Sequence, residues 1–146
     1  MIINPNEEIK IVIDQNQLNQ AFPDYDFPFL LNKAIKDISK KEGLKYIADE
    51  LAALLKKDPD LQSVVCLTSR AIKTCGVYKI RVKKESNKGK RCGYRVVFLL
   101  ITLINGGYVL DITDHNIQDD LTDKQKQFCN KLVEELNKEI KIQNDN

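Results

Sequence analysis

The chain has 146 residues, of which 42% are hydrophobic and 30% are charged, and its net charge at pH 7 is only +2. This length suffices to bury a core and predicts one domain, with a core over residues 8–141 and a frayed tail at residues 142–146. No stretch approaches the roughly 18 uninterrupted apolar residues that span a bilayer, and the N-terminus lacks the basic-then-apolar order of a signal peptide. These features exclude a membrane-spanning protein, and we expect a cytoplasmic one.

The first half of the chain predicts one strand followed by two helices. Residues 9–14 alternate in the period-two pattern of a strand. The first predicted helix is capped by Asp26 and stopped by Gly43, and the second runs from about Lys45 to Lys57. Residues 63–69 are either a further strand or a connector.

The second half predicts strands and then a helix. Residues 76–84 alternate apolar and basic side chains, whereas residues 93–104 are apolar on both faces, as in a central strand covered on both sides. A tight Asn-Gly-Gly turn leads into a strand over residues 108–113. Thr122 begins a capping box, and the helix that follows ends near Ile140. The order predicts an α+β fold: a small antiparallel-rich β-sheet of three to five strands, with two N-terminal helices and a C-terminal helix.

Positive charge is concentrated around the predicted hairpin of residues 76–97. Residues 70–95 contain ten Lys and Arg side chains and one acidic residue, whereas the rest of the chain has 13 basic and 20 acidic residues. Clustered like charges repel one another, so this asymmetry indicates an anionic partner. Lys and Arg make most contacts with nucleic-acid phosphates. We therefore expect nucleic acid at this hairpin. The alternatives are a solvated strand face with a basic turn, and the same surface covered by an acidic partner protein.

His115 is the only histidine, and it follows a predicted strand end. Imidazole suits proton transfer at neutral pH, and Asp111 and Asp114 are near enough in sequence to orient it. The alternative is a surface or capping role. Four scattered cysteines without a Cys-x-x-Cys pair argue for reduced, mostly buried thiols, and we expect neither a metal nor a cofactor.

Cations beside a histidine suit metal-independent cleavage of RNA. The 2′-hydroxyl is the nucleophile, a base removes its proton, an acid protonates the leaving 5′-oxygen, and fixed cations stabilise the pentacovalent phosphate. The sequence lacks the clustered carboxylates of a two-metal nuclease.

Two stretches, "GVYKIRVKKESNKGKRCGYRVVFLL" and "GGYVLDITDHNIQDDLTDKQKQFCNKLVEEL", resemble the RelE/HigB toxins of bacterial type II toxin–antitoxin systems, within the RelE/ParE superfamily. The resemblance covers roughly residues 64–140. It implies a RelE-like fold and a ribosome-associated endoribonuclease that cuts mRNA and is held inactive by a cognate antitoxin.

The resemblance also implies roles for individual residues. His115 would transfer the proton, Asp114 would orient it, and Arg81 and Arg95 would stabilise charge on the phosphate. The implied RNA-binding residues are Lys79, Lys83, Lys84, Lys88, Lys90 and Arg91.

A second interpretation is a binding protein without catalysis. The chain has no Tyr after Tyr108 and no second His, whereas members of the family use such residues. This favours either a relative of the ParE branch, which inhibits DNA gyrase, or a member that has lost catalysis.

Overall fold

The computed structural model describes residues 2–39, 43–68, 74–83, 93–114 and 120–145. Its strands are β1 (Lys10–Val12), β2 (Val65–Cys66), β3 (Cys75–Lys83), β4 (Gly93–Ile101) and β5 (Gly106–Asp114). Its α-helices are α1 (Gln15–Ala21), α2 (Leu31–Ser39), α3 (Leu44–Lys57) and α4 (Asp123–Asp145), and a short 3-10 helix spans Thr102–Ile104. The α+β prediction with an antiparallel-rich sheet is confirmed.

The five strands form one mixed sheet in the order β1-β5-β4-β3-β2. β3, β4 and β5 form an antiparallel meander, and β2 extends it on one side. β1 pairs with β5 in parallel and makes the sheet mixed. The sheet therefore joins the N-terminal segment to the C-terminal half of the chain.

β4 is the central strand, as its sequence predicts. Its residues from Tyr94 to Leu100 are all buried, so both of its faces are covered. The core combines the apolar side chains of β4 with Ile47, Leu51 and Leu55 of α3 and with Leu132, Val133 and Leu136 of α4. A fully apolar strand is stable only when protein covers it on both sides.

The helices differ from the prediction in three places. α1 was not predicted; Asp14 caps it, with its side chain accepting a hydrogen bond from the Gln17 backbone N–H. α2 begins at Leu31, so Asp26 is not its cap, and Gly43 is the N-cap of α3 rather than the stop of the preceding helix.

α4 begins with the predicted capping box. The Thr122 backbone N–H donates to Gln125 Oε1 at 3.0 Å, and the Gln125 backbone N–H donates to Thr122 Oγ1 at 3.2 Å. The helix continues to Asp145, beyond the predicted end near Ile140. Neither Gly nor Pro occurs between Ile140 and Asp145 to stop the helix.

Candidate nucleic-acid interface

The predicted alternation on β3 is confirmed. Tyr78, Ile80 and Val82 are buried, whereas Arg81 and Lys83 are exposed and Lys79 is half-buried. Side chains two residues apart on a strand share a face, so Lys79, Arg81 and Lys83 form one row of cations. We call this row, together with Arg95 of β4, the basic face.

The strand register places Arg95 in the middle of the sheet beside that row. Arg95 lies directly opposite Arg81 on β3 and opposite Thr113 on β5. Two positions further along the same face, the residues paired across β3, β4 and β5 are Lys79, Val97 and Asp111. Paired residues on adjacent strands share a face. The two sets of paired residues therefore bring the cations of Lys79, Arg81 and Arg95 next to the Asp111 carboxylate and the Thr113 hydroxyl.

Arg95 is not an exposed phosphate ligand in this structure, because its side chain is 0% exposed. Its Nη2 atom donates to Thr113 Oγ1 at 3.1 Å and lies 3.5 Å from Asp111 Oδ2. Thr113 Oγ1 in turn donates to Asp111 Oδ2 at 3.1 Å. Arg95, Thr113 and Asp111 thus form a closed polar triangle within the sheet face.

The Asp111 carboxyl is largely buried, and burial is the main reason that its pKa lies above the ordinary value of 3.8. The Thr113 hydroxyl and the Arg95 guanidinium act in the opposite direction, because both stabilise the ionised form. The register makes Asp111 a partner of Arg95, and the predicted pairing of Asp111 with His115 lies outside the described residues.

Asp114 and Arg95 are not paired across the sheet. Asp114 lies opposite Tyr94, which is itself opposite Val82, whereas Arg95 lies opposite Thr113. Alternation along a strand directs Asp114 away from the face that carries Arg95. Asp114 is half-buried, and it is the last residue of β5. The other predicted site residues lie outside the described residues; they are Lys84, Lys88, Lys90, Arg91 and His115.

Two anchors hold the ends of β3. At its C-terminal end, the Tyr46 hydroxyl of α3 donates to the Lys83 carbonyl oxygen at 2.8 Å. At its N-terminal end, Asn137 Oδ1 of α4 accepts hydrogen bonds from the Cys75 backbone N–H at 3.2 Å and from the Thr74 hydroxyl. The α4 contact covers the Cys75 end of the strand, whereas Arg81 and Lys83 at the other end reach solvent.

An acidic group borders the basic face where the chain enters α4. The pKa of Asp120 is lowered mainly by the backbone N–H of Leu121, with further contributions from Lys126 and from Lys79 of the basic face. Lys126 Nζ lies 3.3 Å from Asp120 Oδ2. The Asp120 carboxylate therefore offsets part of the positive potential near Lys79.

A separate groove of about 410 Å³ lies beside α1 and the segment that precedes α2. Its lining includes Tyr25, Phe27 and Phe29, and no residue of the basic face contributes to it. The basic face is therefore an independent surface.

The Arg95–Thr113–Asp111 triangle is the feature that sequence reasoning missed. Asp111 and Thr113 have the period-two spacing that places them on one face, and this was a usable signal. Their pairing with Arg95 depends on the register between β4 and β5, which shifts between Val97 and Phe98. Such an irregularity cannot be seen in the sequence pattern.

Comparisons with known protein families, with curated proteins and with solved structures found no match to this chain. Within the described part of the chain, none of the helices combines the length and the apolar character needed to cross a bilayer.

Proposed function

We propose that this protein is the toxin of a toxin–antitoxin pair and cleaves mRNA on the ribosome without a metal. The observation that carries the proposal is the basic face, in which the exposed side chains of Arg81 and Lys83 lie beside Arg95. Fixed cations of this kind bind phosphate and stabilise the charge that develops on it during cleavage. The resemblance of the two quoted stretches to the RelE/HigB toxins supports the same conclusion.

His115, which follows β5 directly in the sequence, is the proton-transfer group of this proposal. Asp114, Tyr94 and Val82 lie in one row across three adjacent strands. Adjacent strands are about 4.8 Å apart, so the last residue before His115 is about 10 Å from β3.

In this proposal the 2′-hydroxyl of the RNA attacks the adjacent phosphate after His115 removes its proton. The leaving 5′-oxygen takes a proton from a lysine ammonium group of the basic face, and Arg81 stabilises the charge on the pentacovalent phosphate. The cognate antitoxin would inhibit the protein through an acidic or amphipathic segment that covers the basic face or displaces α4.

The burial of Arg95 favours a second candidate, a toxin of the ParE type that binds its target without cleaving RNA. A guanidinium that is 0% exposed and paired with Asp111 does not contact a phosphate unless the pair is disrupted. A binding protein would need only the exposed cations of β3.

The test compares the parent with His115→Ala and Arg81→Ala/Lys83→Ala. Growth is measured after induced expression of each protein in cells. Cleavage is measured separately, by primer extension on a reporter message translated in vitro with each protein. We expect the parent to arrest growth and cut the message within codons, and both variants to lose this activity. The matched control is Lys131→Ala/Lys138→Ala, which removes two exposed lysines of α4 and should remain as toxic as the parent. Arrested growth with an intact message would support the second candidate and contradict the nuclease.

A further inference from the structure

The Arg95 guanidinium uses only part of its hydrogen-bonding capacity. Nη2 contacts Thr113 and Asp111, but within the described residues neither Nε nor Nη1 has a hydrogen-bond partner, although the side chain is fully buried. Guanidinium N–H groups buried without acceptors cost free energy. The site is therefore incompletely satisfied, and what it lacks is an acceptor, preferably an anion.

Asp111 is a poorly placed counterion for this guanidinium. Its Oδ2 atom is 3.5 Å from Nη2, whereas the hydrogen bond that Nη2 donates, at 3.1 Å, goes to the Thr113 hydroxyl. Charge-assisted N–H···O bonds are normally about 2.7–2.9 Å long and often bidentate. The elevated pKa of Asp111 agrees with this geometry, because burial outweighs the stabilisation from Arg95.

A second cation, Arg81, lies beside Arg95 on this face. Arg81 lies directly opposite Arg95 on the adjacent strand, and like charges in directly opposed positions destabilise a sheet. A single negative group placed over Arg81 and Arg95 would interact with both guanidinium groups. Asp111 is not in line with these two residues, because it is paired with Val97.

We propose that Asp111 is a resident counterion that occupies Arg95 in the free protein and is replaced there by a phosphodiester group of bound RNA. The exchange keeps one negative charge beside Arg95 throughout, and the phosphate oxygens supply the acceptors that Nε and Nη1 lack. Asp111 acts through Arg95 and is a positioning residue that lowers affinity for RNA. The choice of RNA as the source of the phosphate rests on the proposed function.

The test measures binding of a short fluorescein-labelled 2′-O-methyl RNA by fluorescence anisotropy. This probe has no free 2′-hydroxyl, so binding is measured without cleavage. Asp111→Asn keeps an acceptor for Thr113 but removes the competing charge, and we expect its dissociation constant to be about tenfold lower than that of the parent. Asp37→Asn changes the net charge equally on an exposed position of α2 and should leave the dissociation constant within about twofold of the parent value.

A double variant distinguishes exchange at Arg95 from a general increase in positive potential. Arg95→Met/Asp111→Asn removes both charges and retains a side chain of similar length. Its affinity should fall to the parent level or below, because the gain requires the guanidinium. Unchanged or weaker binding by Asp111→Asn would overturn the proposal, as would a double variant that keeps the gain.

These outcomes are separate from those that test the nuclease. If the parent does not cleave RNA but Asp111→Asn binds it more tightly, the counterion role is supported and the nuclease function is contradicted. Cleavage by the parent without any gain in binding would reject the counterion role alone. Circular dichroism and urea unfolding of each variant show that the compared proteins are folded.

Discussion

At the scale of single residues, the pairing of Arg95 with Asp111 determines which substitutions on the basic face are informative. Arg95 is completely buried and Asp111 nearly so. Removing one member of such a pair leaves the other charge buried without its partner, which is more destabilising than removing both. Arg81 is exposed and opposite Arg95, so it tests binding to an anion with less effect on folding.

The first prediction concerns stability. Arg95→Ala should lower the free energy of unfolding by about 3–5 kcal/mol, because Asp111 remains buried without its cation. Arg95→Met/Asp111→Asn should recover most of this loss, whereas Arg81→Ala should change it by only about 0.5 kcal/mol. Urea unfolding followed by circular dichroism measures all three. A destabilisation by the double variant equal to that of Arg95→Ala would show that lost packing, not the unpaired charge, causes the effect.

The second prediction concerns pH. Burial raises the pKa of Asp111 above 3.8, so the folded protein binds this proton more tightly than the unfolded chain does. The stability that Asp111 contributes is therefore present below pH 3.8 and is lost as the pH rises through the folded-state pKa. The free energy of unfolding of Asp111→Asn, measured relative to the parent, should increase between acidic and neutral pH.

Asp58 provides a control of opposite sign. Its pKa is lowered, chiefly by the hydrogen bond from the Ser63 hydroxyl. Its contribution to stability is present above its ordinary pKa and is lost as the pH falls. Asp58→Asn should therefore lose stability relative to the parent as the pH rises, and equal slopes for the two variants would contradict the assignment.

The residue types of the basic face could be identified from the sequence, but their pairing could not. Alternation separated Lys79, Arg81 and Lys83 from the buried side chains of β3. It could not reveal that Arg95 would be buried, because burial of a charged residue depends on a partner from another strand. That partner, Asp111, is set by the register of β4 against β5 and by its irregularity after Val97.

At the scale of elements, two glycines and one asparagine fix the start of β5. A Cβ atom on Gly106 would lie 1.9 Å from the Lys10 carbonyl oxygen, and one on Gly107 would lie 1.8 Å from the Leu99 carbonyl oxygen. Asn105 adopts left-handed backbone angles (φ 52°) before them. Its side-chain amide donates to the backbone oxygens of Asn4 at 2.9 Å and Glu8 at 3.1 Å. These contacts hold β1 against β5.

The third prediction follows from this close approach. Gly106→Ala should lower the free energy of unfolding by about 1–3 kcal/mol, because the added methyl group displaces the backbone of β1. Hydrogen exchange should become faster at the amides of Lys10–Val12. Gly43→Ser is the comparison: the space around Gly43 is open, its N-cap position lacks a side-chain hydrogen bond, and serine should stabilise α3 by about 0.5–1 kcal/mol. Unchanged exchange in β1 after Gly106→Ala would contradict the steric argument.

Elements with strong local signals were predicted, and those with weak signals were not. The capping box of Thr122 and Gln125 and the continuous apolar run of β4 identify themselves by residue type and spacing. α1 has seven residues and a single buried side chain, Leu18, so it has too little periodicity to stand out. Gly43 suits either end of a helix, and only the fold shows that it precedes α3.

At the scale of the whole molecule, charge is distributed unevenly around a nearly neutral chain. The exposed part of β3 is cationic, whereas the surroundings of Tyr25 are acidic. Burial is the main cause that raises the pKa of the Tyr25 hydroxyl, and the hydrogen bond to Glu135 is the next. The negative charges of Glu135, Glu139 and Asp24 raise this pKa further. An uneven distribution of this kind orients an anionic partner toward one surface. Binding at that surface should depend strongly on salt.

The fourth prediction tests this dependence. For single-stranded nucleic acid, each neutralised phosphate contributes about 0.7 to the slope of log affinity against log salt. Lys79→Ala/Arg81→Ala/Lys83→Ala should therefore reduce the slope by up to about 2. Lys124→Ala/Lys131→Ala/Lys138→Ala removes the same charge from exposed positions of α4 and should leave the slope near that of the parent. Equal reductions by the two triple variants would show that the basic face is not the contact surface.

The parallel pairing of β1 with β5 has a consequence for synthesis of the chain. Asn4 and Asn105, which fasten this edge of the sheet, are 101 positions apart. During translation the first strand therefore emerges long before its partner exists, and closing so large a loop is an entropic cost met late in folding. We expect β1 to join the sheet as one of the final steps. Until then, Ile11 of β1 and the flanking Ile9 and Ile13 are exposed in the nascent polypeptide, where chaperones can bind them.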